Sequence, residues 1–527
     1  MRFFNTAGPV KNEKHYCLSP LERFDTDEIL SLIDQEKYFI LHAPRQTGKT
    51  TCLLALMEHI NKEGKYKCLY CNVEAAQVAR EDVKKGIRAI LNEIATSAEL
   101  LINDHFVTDN WFDIFNKSGE AVALNETLTR WAKASPKPII LLIDEIDALI
   151  GDTLISVLRQ LRAGYTKRPK MFPQSVVLCG IRDIRDYRIH SSKTKEIITG
   201  GSAFNIKAKS FRLGDFSKED VKNLYALHTK ETEQAFDEDA IELVWEYTQG
   251  QPWLTNALGY EATFDMKKNR DRSVIITADM ILQAKENIII RRETHIDQLI
   301  DKLQEERVRQ VIEPFLTGKN IEQNRPDDIQ YLIDLGLLKH TDTGFAISNP
   351  IYEEVIPREL TYTTQKNFMP LYQTLWYVRD DGLLDIGKLL TEFQQFFREN
   401  SESWIQQFDY LEAGPQLLLQ AFLQRIVNGG GRIDREYGLG RKRTDLLIIW
   451  EHKRGVQKVV MELKILYGSL EKTIEEGLDQ TFLYMDKCGA KYGNLIIFDR
   501  NEKKTWDEKI FCRKEKYQGC VIDIWGM

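Results

Sequence analysis

The 527-residue sequence predicts an α/β fold built on a parallel sheet, followed by a mainly helical middle and a second α/β region. Three observations predict it. From residue 1 to about 260, aliphatic runs alternate with amphipathic helical patterns, as in strands joined by crossover helices. Two of those runs end in chemistry: Tyr38-Phe39-Ile40-Leu41 leads directly into His42-Ala43-Pro44-Arg45-Gln46-Thr47-Gly48-Lys49-Thr50-Thr51, and Ile139-Ile140-Leu141-Leu142-Ile143 leads into Asp144-Glu145. Beyond Gly429-Gly430-Gly431 the pattern changes to alternating strands. In the first region, strands are expected near 37–43, 66–73, 138–144 and 175–181.

The first strand ends in a phosphate loop. Such a loop turns backbone N–H groups and a helix N-terminus toward a polyphosphate, where the positive helix end favours an anion. Lys49 is placed to reach the β and γ phosphates, Thr50 to put its hydroxyl on Mg²⁺, and Gly48 to let the backbone approach closely. Ala43 stands where the first glycine of the pattern is usual, a small perturbation. Residues Ala43 to Thr51 are therefore the expected ATP contacts.

The third strand, flanked by Pro136 and Pro138, is a continuous aliphatic run that suits a central parallel strand whose carboxyl end opens at a ligand crevice. Asp144 is expected to hold Mg²⁺ through water, and Glu145 to polarise the attacking water as general base. Asp147 is either a third acid or a cap of the following helix. The fourth strand ends in Cys179-Gly180-Ile181-Arg182-Asp183, which turns Arg182 toward the same crevice, as a sensor of the nucleotide or in a salt bridge with a neighbouring acid. Thr248-Gln249-Gly250-Gln251-Pro252-Trp253 joins two helical patterns at a sharp corner, either as a simple turn with Trp253 in the core or as a nucleotide contact.

Composition narrows the class. A net charge of -7 and a pI near 5.9 exclude a protein that coats nucleic acid through bulk charge, while leaving room for local basic patches. The eight cysteines have no disulfide-framework spacing, and Cys68 and Cys71 fall on a strand whose alternate side chains face opposite ways, against a zinc or redox site. No secretory leader pattern opens the chain, and apolar runs reach about six residues against the roughly 18 of a membrane span. A reduced, cytoplasmic protein without a membrane partner is expected.

Together HAPRQTGKTT, ILLIDEIDAL, LCGIRD and the GQPW corner resemble the AAA-like branch of the STAND and archaeal-type P-loop ATPases over about the first half of the chain. The resemblance implies that Arg182 senses the γ phosphate and that Gln251 and Pro252 close a helical subdomain against the adenine. It also implies that the segment from His15 and Tyr16 to Arg23 walls the base. Arg159 and Arg162 become candidate fingers for a neighbouring subunit in a homo-oligomer formed through the ATPase domain.

Residues about 270 to 365 read as helical, with Ile296, Leu299, Ile300 and Leu303 at amphipathic spacing. Near their end, a helix over Asp328–Leu335 is stopped by Gly336, and Thr343–Ile347 forms half of a short hairpin. This resembles a winged-helix unit, and the acids Asp327, Asp328 and Asp334 favour a packing role over DNA binding. The division expected is 1–260 for the ATPase domain, 261–365 for the helical and winged-helix-like domain, and 366–527 for a helical linker and the last domain.

In that last part, Thr444–Trp450 and Lys458–Lys464 read as two strands joined by a charged turn with Gly455. Glu462 and Lys464 are two residues apart and project from one face. With Asp445 they make a set of hard oxygen ligands for Mg²⁺ or Mn²⁺ and a lysine that orients or deprotonates a water, which suits phosphodiester hydrolysis. The alternatives are cross-strand ion pairs on an ordinary hairpin, or a fold kept for binding alone. The set resembles the PD-(D/E)XK nuclease core, a restriction-endonuclease-like α/β fold, with Thr444 in place of its proline. Gln480 and Tyr484, four residues apart on the next helix, match the Q-x-x-x-Y element of its exonuclease-like branch, which implies a grip on the scissile phosphate. Glu412 or Glu436 is the candidate for a further acid.

The order of parts resembles an ATPase family with a C-terminal nuclease-like domain. It implies an ATP-dependent enzyme whose nucleotide state controls Mg-dependent cleavage of nucleic acid, DNA being favoured, in defence against phage or mobile DNA. The alternative is a STAND-like signalling switch whose C-terminal domain binds a partner or nucleic acid without cleaving it. A DNA-translocating motor is disfavoured, because no helicase motif series follows Asp144-Glu145.

Overall fold

The computed structural model describes all residues except 184–187, 191–196, 200–203, 317–325, 342–343, 361–376, 408–418, 420–421, 424–430, 436–445, 453–454, 467, 500 and 502–503. The chain divides into two compact units, Met1–His295 with Arg325–Tyr352, and Ile296–Asn324 with Glu353–Met527.

The first unit is organised by β1 (Tyr38–His42), β2 (Lys67–Asn72), β3 (Ile139–Asp144) and β4 (Ser175–Gly180). A short antiparallel hairpin, β5 (Arg188–His190) and β6 (Ile197–Thr199), precedes β7 (Lys207–Arg212). The main sheet has the order β2-β3-β4-β1-β7 and is parallel throughout. The four strands expected from the aliphatic runs are therefore present, and β3 is buried along its whole length. Alternation sends Tyr38, Ile40, Leu69, Cys71, Leu141 and Ile143 into one core, with the helices Val83–Ile102, Ala123–Ala134 and Gly151–Gly164. Phe39, Leu41, Cys68, Tyr70, Ile140 and Leu142 enter the other, with the helices Thr26–Asp34 and Lys49–Glu63. Cys68 and Cys71 thus lie on opposite faces, both buried free thiols whose pKa burial pushes up.

The same unit holds the helix Pro326–Asp334 and the antiparallel pair β8 (Leu338–Thr341) and β9 (Gly344–Ile347). The amide of Leu337 closes the helix end on the Leu332 carbonyl.

The second unit carries a six-stranded mixed sheet of β10 (Arg432–Arg435), β11 (Leu446–His452), β12 (Gly455–Ile465), β13 (Tyr492–Phe498), β14 (Phe511–Tyr517) and β15 (Cys520–Gly526). Their order is β10-β11-β12-β13-β15-β14, parallel at the centre and antiparallel at both flanks. One face packs Leu446, Ile448, Val459 and Met461 against Leu389, Leu390 and Phe393 of the helix Ile386–Gln407. The other packs Leu447, Val460, Leu495 and Ile497 against Ile474, Leu478, Tyr484 and Met485 of the helix Leu470–Cys488. Among the described residues no helix is long and apolar enough to cross a membrane.

Candidate functional site

The carboxyl ends of β1, β3 and β4 lie side by side, and the loop after β1 runs straight into the helix Lys49–Glu63. Gly48 caps that helix at φ +90°, a left-handed backbone that glycine adopts without strain. Lys49 Nζ folds over the loop and donates to the carbonyls of Ala43 at 3.0 Å and Pro44 at 2.9 Å, and Thr47 Oγ1 also donates to Pro44, at 2.8 Å. Arg45 is exposed, while the Thr51 hydroxyl accepts the Val10 amide at 3.1 Å.

Asp144, the last residue of β3, is fully buried. Its Oδ2 accepts from Thr50 Oγ1 at 2.7 Å and from the Tyr70 hydroxyl at 3.0 Å, and its Oδ1 accepts the Glu145 amide at 3.0 Å. The two residues expected to hold Mg²⁺ are thus in contact, and a hydroxyl beside a carboxylate fits a hard cation. Mg²⁺ held there would neutralise charge on a bound polyphosphate. Glu145 is half-buried with a left-handed backbone, φ +57°. Burial, with Asp147 close by, raises its carboxyl pKa, as suits a base that works nearer neutrality. Asp147 lies near Glu145 but does not cap the next helix: its Oδ1 accepts the Ile181 amide at 2.9 Å beyond β4.

Arg182 pairs with an acid of the winged-helix-like segment. Its Nε lies 3.3 Å from Oδ2 of buried Asp334, and its guanidinium sits 4.9 Å from the Tyr331 ring centroid. Gln330 donates to the other Asp334 oxygen at 2.9 Å. Burial raises the Asp334 pKa, while Gln330 and Arg182 pull it down.

A cleft of about 120 Å³ adjoins the loop. Its walls include Tyr16, Cys17, Arg23, Gly48, Pro252 and Trp253. Arg23 ties this wall to the loop by donating to the Thr47 and Gly214 carbonyls. His15 is not in the wall; Asn5 to Gly8 are, a contribution of the chain start that no pattern in the sequence signalled. Gly250 makes the corner before Pro252: at φ +77° a Cβ there would lie 1.9 Å from the Phe216 carbonyl oxygen. Gln251 caps the helix Pro252–Tyr260 through Oε1, which accepts the Leu254 amide at 2.6 Å. Its buried Nε2 has no hydrogen-bond partner, and the residue lines a second cavity with Pro44, Arg212, Asp215 and Lys339 rather than the cleft of Pro252. Arg159 and Arg162 are exposed on the helix Gly151–Gly164.

A family model described as an AAA-like domain matches residues 21–357. The chain belongs to the AAA-like domain family. The match begins at the wall of the cleft and runs through the phosphate loop, the acids of β3 and the β8–β9 hairpin, which makes this part an AAA-like P-loop ATPase domain. No curated protein matches the chain. Among solved structures it is similar to the Walker-type ATPase of Pyrococcus abyssi, at 14% identity and a TM-score of 0.47, over 67% of this chain and 99% of that one. It is also similar to Cdc6p from Pyrobaculum aerophilum, at 15% identity and a TM-score of 0.35, over 65% and 93%. The Thermotoga maritima RuvB Holliday junction branch migration motor is similar at 13% identity and a TM-score of 0.33, over 64% and 96%.

The second constellation lies in the other unit, outside the AAA-like match. Glu462 is buried near the carboxyl end of β12, and Lys464 Nζ lies 3.0 Å from its Oε1. By alternation both share the face of Val460, the face covered by the helix that carries Gln480 and Tyr484. Tyr484 is buried in that core, and Gln480 Oε1 is buried with no hydrogen-bond partner. Thr444, Asp445, Glu412 and Glu436 lie outside the described residues. Among the described residues, no group of three or more His, Cys, Asp or Glu side chains is placed to hold a metal ion.

Proposed function

We propose that the AAA-like ATPase domain binds and hydrolyses Mg·ATP, and that its nucleotide state controls a metal-dependent nuclease in the C-terminal unit. The Thr50–Asp144 contact, beside a base of raised pKa at Glu145, supports hydrolysis rather than binding alone. In this reading Lys49 leaves the Ala43 and Pro44 carbonyls for the β and γ phosphates, Glu145 takes up the proton of the attacking water, and Arg182 reports the γ phosphate. Tyr16, Arg23, Pro252 and Trp253 enclose the base. The sequence division into 1–260, 261–365 and 366–527 assigns these tasks to the first part, with assembly into a homo-oligomer through it, in the cytoplasm.

The observation that carries the nuclease reading is the buried Glu462 with Lys464 at 3.0 Å, on the sheet face under the Gln480 and Tyr484 helix. With Asp445, Glu462 would hold Mg²⁺ or Mn²⁺; the metal would polarise the phosphodiester and supply the nucleophile. Lys464 orients the water, and Gln480 and Tyr484 hold the scissile phosphate. The substrate favoured is DNA, and the setting is defence against phage or other mobile DNA.

The test is a cleavage assay across duplex, single-stranded and branched DNA and RNA, in Mg²⁺, with ATP, ADP or no nucleotide. Cleavage that depends on nucleotide and is abolished by Asp445→Ala or Lys464→Ala, with ATP binding retained, is the expected result; cleavage that survives both variants overturns the nuclease assignment. The STAND-like reading, a switch whose C-terminal domain only binds, has support from the Arg182–Asp334 pair, which ties the sensor candidate to the winged-helix-like segment. It predicts no cleavage in any arm and an ATP-dependent change of mass by light scattering.

A further inference from the structure

One polar chain reaches the phosphate loop from a residue that no motif contains. His295 is buried in the helix Thr294–Leu303. Its Nδ1 lies 2.5 Å from Gln46 Oε1, and its Nε2 contacts the Tyr352 hydroxyl. With Oε1 of Gln46 facing the ring, Nδ1 carries the proton and donates, and Nε2 accepts from Tyr352. The ring stacks near-parallel to Trp253, with centroids 5.1 Å apart, and to Tyr352, at 5.8 Å. Burial lowers the imidazole pKa to about 3, so the ring stays neutral.

The other end of this chain is strained. Gln46 sits at φ +57°, a left-handed backbone that a residue with a Cβ adopts at a cost and keeps only where its surroundings fix it. The His295 ring is a contact that fixes it. Gln46 and Trp253 both line the cleft beside the loop, so the imidazole braces the loop and the cleft wall at once.

We propose that His295 is a positioning residue for nucleotide binding: by holding the Gln46 side chain it keeps the phosphate loop in the left-handed turn that shapes it for phosphates. This rests on reading His42–Thr51 as the nucleotide loop. His295 touches Gln46 and not the nucleotide, so its effect passes through the backbone at position 46. Glycine at that position takes the same φ without a brace.

The experiment measures equilibrium binding of Mg·ATP to the full chain. His295→Ala should weaken binding about tenfold, which corresponds to about 1.4 kcal/mol, and His295→Asn, whose amide nitrogen can donate to Gln46 Oε1 as the ring Nδ1 does, should keep it within about twofold of wild type. Wild-type affinity in His295→Ala, or a loss as large in His295→Asn as in His295→Ala, overturns the proposal; a merely structural histidine gives the second result with a lowered Tm in both. If His295→Ala does not fold, His295→Leu, which fills the space without a donor, takes its place. His295→Leu should bind about tenfold more weakly than His295→Asn, and equal affinities overturn the proposal. Lys49→Ala separates the two readings: a chain that binds no ATP with or without it fails both. Binding abolished by Lys49→Ala but indifferent to His295→Ala fails this inference alone.

Discussion

Asp144 and Glu462 occupy the same kind of place in two different sheets. Each is a buried carboxylate at or near the carboxyl end of an aliphatic strand that pairs in parallel with a neighbour, where strand ends open toward a ligand. Their partners differ. Asp144 is held by Thr50 and Tyr70, from two other elements far off in sequence, whereas the ion-pair partner of Glu462 is Lys464, two residues along its own strand. The first acid therefore depends on elements brought together by the fold, while the Glu462–Lys464 contact joins two residues of one strand. A site of the first kind forms only in the folded domain.

The largest expected effect tests the division of labour between these acids. Glu145→Gln should lower ATP hydrolysis by roughly 10²–10⁴-fold while leaving nucleotide binding in place, measured by phosphate release and by binding at equilibrium. Because burial raises the Glu145 pKa and the base acts as the carboxylate, wild-type hydrolysis should fall as the pH drops through a value above the ordinary range for glutamate. A variant that hydrolyses ATP at the wild-type rate would remove Glu145 from the mechanism. With the hydrolysis step blocked, the nuclease proposed for the C-terminal unit should cleave in the trapped ATP state. Cleavage indifferent to Glu145→Gln would uncouple the two sites.

The contrast in how the acids are held also explains what the sequence made legible. β1 to β4 were readable because a parallel strand buried on both faces must be aliphatic throughout, and the phosphate loop because its function lies in a contiguous backbone. The Glu462–Lys464 pair was readable because two-residue spacing fixes a shared face. The contacts Tyr70–Asp144, Arg182–Asp334 and Gln46–His295 were not, since their partners lie 74, 152 and 249 residues apart. Asp334 reads as a solvated acid on a short helix until folding buries it against Arg182. His295 reads as one polar position on an amphipathic helix. No local pattern marks either.

A second difference between the units is titratable. His228 is fully buried, within 3.1 Å of the Tyr16 hydroxyl and 3.0 Å of Gln234 Oε1, and burial lowers its pKa to about 4. The only histidine of the other unit, His452, is half-buried. Below pH 6.5 the unfolded chain takes up a proton at position 228 that the folded chain refuses. The contribution of neutral His228 is therefore complete above 6.5 and is lost as the pH falls from there to about 4. The stability difference between wild type and His228→Gln should change by on the order of 3 kcal/mol across that window. Hydrogen exchange should register it in β3 and not in β12. Equal changes in both strands would mean that the units unfold as one.

The smallest effect addresses the long-range holding of Asp144 itself. Tyr70 and Thr50 donate to the same oxygen, Oδ2. Were Thr50 to turn its hydroxyl to a bound Mg²⁺, Tyr70 would remain as a donor to Oδ2 beside the Glu145 amide on Oδ1. Tyr70→Phe removes one hydrogen bond to a charged group in a buried place and should cost about 1.5–3 kcal/mol of stability. It should also raise the Mg²⁺ concentration needed for half-maximal ATP hydrolysis by a few fold, since a carboxylate held by one donor fewer is a poorer ligand. The two readouts separate support from aim. Lost stability with an unchanged Mg²⁺ requirement would make Tyr70 a strut of the sheet, and Asp144 would then be aimed from its own strand end, as Glu462 is aligned with Lys464 on β12.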